Sequence, residues 1–393
     1  MEFQLTEEQR MIQEMAREFA QREIAPIAKQ IDEEERFPFE TVKKMGELGL
    51  MGIEIPEVYG GAGADPVAYV LALKEIAKVC ASHAVIMSVQ NSLVAYGLWR
   101  FGTEEQKERF LKPIASGQAL GAYSLTEPQA GSDASNLLTT AVRKGDTYIL
   151  NGRKAWVTNG PHADYIIVFA MTDREKRHKG ITAFIVDTSR EGITRGRPEK
   201  KLGIRAAHSG ELILENYQAH VSERLGEEGE GFKIAMQILD AGRIGIAAQA
   251  WGIAEAAYEE AARYALEREA FGQKIAQFQA IQFYLAEMNM RLEATRLLTL
   301  QAAWLKHRFL ENGEPRRFTR EASVAKLFAA ESAVWITQKA IQIHGGVGYS
   351  REFNVERYYR DAKITEIYEG TSEIQRIVIA RQVLQQISSL LGA

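Results

Sequence analysis

A change of hydrophobic period near residue 120 constrains the fold of this chain more than any other feature. From Ala122 to Asn216, short β-rich runs follow one another with turns between them and no helical stretch. They are Thr139–Arg143, Tyr148–Leu150, Tyr165–Met171, Ile181–Asp187 and Glu211–Leu214. Lys144-Gly145-Asp146 reads as a tight turn and Asn151-Gly152 as a hairpin signal. Strands clustered without crossover helices predict an antiparallel barrel or sandwich rather than a parallel sheet.

Both flanks have helical period. Upstream, Thr6 and Gln9 fit a capping box, and Met11, Met15, Phe19, Ile24, Ile27 and Ile31 form an apolar face with a bend at Pro26. Further helices are predicted over 39–48, 67–78, 85–99 and 104–114, with a turn-rich loop at Ile55–Asp65. Downstream, a long helix rich in Ala and Gly carries Phe232, Met236, Leu239, Ile246, Ile253 and Tyr258; its small residues invite close helix contacts. Asn312-Gly313 with Pro315, and Gly345–Gly348, break the remaining helices. The expected fold class is mainly α with a central β domain: an N-terminal α-helical domain (1–120), a middle β domain (121–225) and a C-terminal α-helical bundle (226–393).

Of the 393 residues, 46% are hydrophobic and 25% charged, enough for sizeable cores. The net charge of -4 gives no electrostatic reason to expect nucleic acid. The single cysteine, Cys80, excludes an intrachain disulfide or a cysteine metal cluster and favours a reducing compartment. With no signal-peptide pattern and no apolar run of about eighteen residues, a cytoplasmic protein without a membrane span is expected.

The chain has no P-loop, H-E-x-x-H, G-x-S-x-G or G-x-G-x-x-G pattern. Polar chemistry gathers instead in Asp361–Gln375, where Glu366, Glu369 and Glu373 surround Gly370. Ser372 and Gln375 fit a capping box, which puts Glu369 just outside a helix start. Read alone, Glu369 more readily complements a helix dipole than serves catalysis, because structural acids at helix starts are common. Five further stretches are rich in polar, aromatic and glycine residues: Tyr123–Asp133, Lys154–Gly160, Leu239–Arg243, Arg268–Gln273 and Gln342–Tyr349. Each has a bland alternative. Trp156 and Thr158 suit a flat heterocycle or a core, and Asp240 with Arg243 suits an ordinary surface pair.

Taken together, Y-S-L-T-E-P-x-A-G-S-D, W-V-T-N-G, L-D-x-G-R, R-x-x-F-G, Q-x-x-G-G-x-G-Y and I-Y-E-G-T-S-E-I-Q stand in one order along the chain. The chain thereby resembles the acyl-CoA dehydrogenase family over essentially its full length, most closely its short-chain, butyryl-type members. The resemblance implies a C-terminal four-helix bundle, a homotetramer and non-covalent FAD shared with a neighbouring subunit. It also implies α,β-dehydrogenation of an acyl-CoA to a trans-2-enoyl-CoA, with electrons passing to an electron-transferring flavoprotein.

By that likeness Glu369 is the base that removes the α-proton, while the β-hydrogen leaves as hydride to flavin N5. A free Glu has a pKa of about 4.3, far below a thioester α-carbon, and each unit of mismatch is worth ~1.4 kcal/mol. Such a site must desolvate the carboxylate and stabilise the enolate. In the family the backbone N–H of the base and a flavin ribityl hydroxyl hold the thioester oxygen, and one such donor is typically worth ~10²–10³ in rate. Tyr123, Leu125, Thr126, Gly131, Ser132, Trp156 and Thr158 correspond to flavin-lining positions, with Thr126 and Thr158 near its reactive edge. Ser132, Asp240 and Arg243 correspond to CoA-side contacts, and Gly370 leaves room for substrate. Arg268, Phe271, Gln279, Gln342, Gly345 and Gly346 correspond to contacts with an adjacent subunit's FAD, Arg268 meeting pyrophosphate. Thr371 and Glu373 offer backbone N–H groups at a helix start.

Two departures narrow the choice. Ala270 stands where medium-chain relatives often carry Thr. Gly242 stands where isovaleryl-type and long-chain-type members place their base, so only the Glu369 location is furnished. Ala81–Leu98 has no Lys or Arg, which argues against dicarboxylyl thioesters. An acyl-CoA oxidase of the same fold is the near alternative; a flavin-free scaffold is the distant one.

Overall fold

The computed structural model describes residues 4–312 and 318–391. The N-terminal part comprises α1 (Glu7–Phe19), α2 (Ala25–Glu34), α3 (Phe39–Glu47), α4 (Pro66–Val79), α5 (Ala81–Ser88), α6 (Tyr96–Phe101), α7 (Glu104–Gln106) and α8 (Lys112–Ala115). Wider π-helical turns at Ala20–Ile24, Val89–Ala95 and Lys107–Leu111 interrupt what periodicity predicts as single helices. Pro26 sits in the first turn of α2, directly behind the Ala20–Ile24 π turn, the kind of helix irregularity that goes with a proline. The capping box of α1 is closed from both sides, Gln9 N to Thr6 Oγ1 at 3.2 Å and Thr6 N to Gln9 Oε1 at 3.0 Å.

The middle part is one eight-stranded sheet of β1 (Gly121–Ser124), β2 (Thr140–Lys144), β3 (Thr147–Thr158), β4 (Tyr165–Met171), β5 (Ile181–Asp187), β6 (Ile193–Arg195), β7 (Ser209–His220) and β8 (Arg224–Leu225). The order is β6-β7-β3-β2-β4-β5-β8, with β1 beside β4. Most pairings are antiparallel, but β1 and β2 each meet β4 in parallel. The segments separating β1 and β2 from β4 are long enough for a parallel return, which a tight hairpin cannot make. Lys144-Gly145-Asp146 makes the predicted turn between β2 and β3. Asn151-Gly152 does not: β3 runs through it, with a bulge against β7 between Leu150 and Gly152. A Cβ on Gly152 would lie 2.6 Å from Thr139 Cα, so glycine serves close packing here, not chain reversal.

β4 shows why the sheet lies inside the molecule. Ile166, Val168 and Ala170 point into a core within the sheet with Tyr148, Leu150, Phe184, Leu212 and Tyr217. Ile167, Phe169 and Met171 point the other way, into the core shared by the helices before and after the sheet. Both faces are covered, so the run reads as nearly all apolar.

The C-terminal part has α9 (Gly231–Glu267), a small hairpin of β9 (Glu269–Ala270) and β10 (Gln273–Lys274), α10 (Gln279–Asn312), α11 (Thr319–His344), α12 (Val355–Lys363) and α13 (Ser372–Leu391). The predicted break at Gly313 and Pro315 lies outside the described residues. α9 is the spine, packing on α4, α10 and α11. Its glycines set how closely. A Cβ at Gly245 would lie 2.5 Å from Ser88 Oγ, and one at Gly252 would lie 2.4 Å from the Lys74 carbonyl oxygen.

Candidate active site

Glu369 and Gly370 both have left-handed backbone, with φ of 52° and 93°. For glutamate that conformation is strained, by roughly 1–3 kcal/mol, and persists only where the surroundings hold it. Two fully buried polar side chains do so. Gln375 Nε2 donates to the carbonyls of Glu369 (3.2 Å) and Gly370 (2.9 Å), and Lys326 Nζ reaches the Gly370 carbonyl from α11 at 2.7 Å. This corrects the expected Ser372/Gln375 capping box. The capping hydroxyl is that of Thr371, which accepts from Ile374 N at 3.3 Å, while Gln375 is drawn back onto the turn. α13 opens at Ser372, directly behind.

The turn aims the Glu369 carboxylate at α9. Its Oε2 is closed off from solvent without a hydrogen-bond partner. A Cβ added to Gly242 would sit 2.0 Å from that oxygen and 2.7 Å from Leu93 Cδ2. Residue 242 and the 369 carboxylate therefore converge on one point, and glycine at 242 is what makes room for an acid from the turn. Burial pushes Glu369 up to about 7, against the pull of the Lys326 and Arg243 charges. A carboxyl poised there exchanges a proton near neutral pH.

Asp240 and Arg243 are not a surface pair. Both are buried on α9, with Arg243 Nη1 2.8 Å from Asp240 Oδ1 and Thr319 Oγ1 2.6 Å from Asp240 Oδ2.

The first group of expected flavin-lining positions lies on β1, on β3 and in the loop between β1 and β2. Tyr123 on β1 is within electrostatic reach of Glu369, which adds to burial in raising its phenol. Ala155 N donates to the Thr126 carbonyl at 2.9 Å, setting Thr126 and buried Leu125 beside the end of β3. A bulge there gives Trp156 a φ of 59° and leaves it 59% exposed, and Thr158 Oγ1 lies 3.0 Å from Ser209 Oγ. Gly131 and Ser132 are exposed, and Glu373 opens onto solvent at the start of α13.

The second group lies at the β9–β10 hairpin, the start of α10 and the end of α11. Phe271 and Gly272 both have positive φ in the two-residue turn of the β9–β10 hairpin, and Phe271 is 96% exposed. Arg268, Gln279, Gln342, Gly345 and Gly346 are exposed around it. Tyr264, one turn before Arg268, stacks on His344 at 4.3 Å, which joins the hairpin to the end of α11.

Lys326, Gln375 and Gln249, which accepts from Tyr368 Oη, were not among the residues expected at the site. Their signal is a long polar side chain on an otherwise small or apolar helix face. Lys326 shares its stripe with Ala322, Ala329, Ala330 and Ala333, all buried.

Comparison with known proteins agrees with this architecture. Residues 6–118, 122–217 and 229–384 match the acyl-CoA dehydrogenase N-terminal, middle and C-terminal domains. The mitochondrial short-chain specific acyl-CoA dehydrogenase of Bos taurus is 52% identical over 98% of this chain and 92% of its own. The butyryl-CoA dehydrogenase structure from Megasphaera elsdenii superposes with a TM-score of 0.95 at 45% identity, over 98% of this chain and 100% of that one. A chain from the structure described as the electron transferring flavoprotein of Acidaminococcus fermentans also gives 0.95, at 48% identity over 98% and 100%. The three domains, in order and nearly end to end, establish that the chain belongs to the acyl-CoA dehydrogenase family.

Proposed function

We propose that the protein is an FAD-dependent short-chain acyl-CoA dehydrogenase in which Glu369 takes the α-proton of an acyl-CoA thioester, giving the trans-2-enoyl-CoA. The observation that carries this reading is the Glu369 carboxylate, its Oε2 closed off from solvent and unpartnered, held at Gly242 by a strained, doubly tethered turn. Such a base is half-ionised near pH 7 and needs no solvent reorganisation before it acts. The Glu369 backbone N–H is the residue's own donor to the thioester oxygen as enolate charge develops. Arg243, neutralised by Asp240, keeps positive potential on the CoA side without a free buried charge.

FAD, when bound, supplies the acceptor for the β-hydrogen. The residues fit it. Trp156 is carried outward on the β3 bulge, and Gly131, Gly345 and Gly346 have open backbone, with nothing within 4 Å of an added Cβ. Tyr123, Leu125, Thr126, Gly131, Ser132, Trp156, Thr158, Thr371 and Glu373 would hold it from one subunit. Arg268, Phe271, Gln279, Gln342, Gly345 and Gly346 would hold a partner's. Ser132, Asp240, Arg243 and Gly370 would meet substrate.

A homotetramer is part of the same proposal. Phe283, Met290, Leu297 and Trp304 recur every seventh residue on α10, exposed by 64%, 62%, 40% and 46%. The physiological electron acceptor is an electron-transferring flavoprotein, a reading supported by the relative described with that protein. Among the described residues no helix is long and apolar enough to cross a membrane. A cytoplasmic location completes the proposal, supported by the single buried free Cys80.

The test is anaerobic addition of butyryl-CoA and octanoyl-CoA to the yellow protein. Bleaching by butyryl-CoA is expected, and no bleaching by either sinks the substrate class.

A further inference from the structure

Lys326 is a fully buried lysine in a protein whose other fully buried lysines are spent on acids, Lys154 on Glu127 and Lys306 on Glu54. Its hydrogen bond goes instead to a neutral carbonyl, that of Gly370, next to the base. Burying an ammonium for a carbonyl is expensive, and a neutral donor already holds the same oxygen, since Gln375 reaches it at 2.9 Å. Tethering the turn therefore does not account for the charge.

We propose that Lys326 is a positioning residue for the dehydrogenation: it anchors the Glu369–Gly370 turn and, by its buried positive charge, keeps the Glu369 carboxylate ionised in a desolvated site. The inference rests on Glu369 being the base. The charged and titratable groups around that carboxylate are Lys326 from α11, Arg243 with its partner Asp240 from α9, Tyr69 from α4, Tyr123 from β1, and Tyr368, Glu366 and Glu373 from its own segment. Of the two cations, Arg243 is ion-paired with Asp240, so Lys326 is the one held by a neutral group. The coupling is mutual. Burial lowers Lys326 to about 8, with Glu369 opposing, and it lowers Glu369 against burial in return.

The sign follows. Removing the charge raises Glu369 further, because a nearby positive charge favours the ionised carboxylate. At pH 7 the first unit cuts the ionised form about fivefold and each further unit about tenfold. The test is an infrared pH titration of the holoenzyme without substrate, following the protonated-carboxyl band lost in Glu369→Gln. Lys326→Gln keeps a donor for Gly370 without charge, Lys326→Arg keeps the charge, and Gln375→Ala removes a neutral tether. The expected result is a midpoint raised by at least one unit in Lys326→Gln, near the parent value in Lys326→Arg and unmoved in Gln375→Ala. Flavin reduction by butyryl-CoA in Lys326→Gln should then recover at high pH, as a misplaced base would not. If Lys326→Gln fails to keep flavin, Lys326→Met carries the same titration. An unmoved midpoint in the neutral variant, or an equal shift in Gln375→Ala, overturns the proposal. Because the titration uses no substrate, these outcomes stand apart from whether butyryl-CoA is accepted.

Discussion

Glu127 and Glu369 are the same side chain, each withdrawn from water, in opposite surroundings. Glu127 lies between β1 and β2 with every need met. It takes Lys154 Nζ at 2.9 Å, the backbone N–H groups of Leu138 (2.6 Å) and Thr139 (3.1 Å), and Gln129 Nε2 at 2.7 Å. Burial opposes its charge, but Lys154 and these donors prevail and hold it down at about 2. Glu369 has an oxygen with no partner and cations only at a distance, so burial prevails and carries it up to about 7. Satisfied, a buried carboxylate is a rivet. Left unsatisfied beside a cation, it is poised for the proton transfer proposed for Glu369.

The comparison breaks most sharply at Glu369 itself. Glu369→Gln should keep the yellow cofactor and lose ~10²–10⁴ or more in flavin reduction, the range assigned to a general base. Reduction at the parent rate would make Glu369 structural like Glu127. The converse change, Lys154→Met, should leave Glu127 as an unpaired buried charge and lower stability by ~3–5 kcal/mol in urea unfolding. Reduction rates measured on the folded variant should stay near the parent's. Gly242→Ala should cost about 10² in reduction with little effect on flavin content, because the new methyl takes the space of Oε2.

Smaller effects lie in pH. Reduction should rise about tenfold per unit as pH increases towards 7 and level off above it, since the ionised base is the active form. Stability should respond with opposite signs at the two glutamates. Glu127, lowered from its ordinary 4.5, contributes stability above that value, lost as pH falls towards about 2. Glu369, raised from 4.5, favours the folded state only while protonated and costs stability as pH climbs through about 7. The melting temperature of Glu369→Gln relative to the parent should therefore be higher at pH 8 than at pH 5, by a few degrees at most.

Much of this was legible in residue order. The period change near residue 120, the Thr6/Gln9 box, the β4 and β5 runs and the Ala/Gly content of the 231–267 helix each reflect local rules, and each appears where those rules place it. Glu369 and Gly370 stood out as an acid beside a glycine at a helix start, but that local pattern alone favoured a structural acid, and the proposed role came from the likeness of the whole motif set. The misreadings have one cause. Asn151-Gly152 has the composition of a turn, but Thr139 packing on Gly152 makes it a bulge. Ser372 and Gln375 have the spacing of a cap, but the carbonyls of the strained turn compete for the Gln375 amide and win it. Asp240 and Arg243 have the spacing of a surface pair, and only α11 lying over them makes the pair buried.

By itself, then, the sequence determined the helix–sheet–helix order and the composition of the cores, because these depend on periodicity and on residues near in the chain; Glu369 as the proposed base came from the likeness of the whole motif set, not from its local pattern. The tertiary structure alone decided what kind of carboxylate Glu369 is. That depends on Gly242 leaving space, on Leu93 lining the same point and on Lys326 bringing a charge, from three elements far apart in the chain. Burial and Coulomb interactions are properties of distance in space, and no local pattern records them.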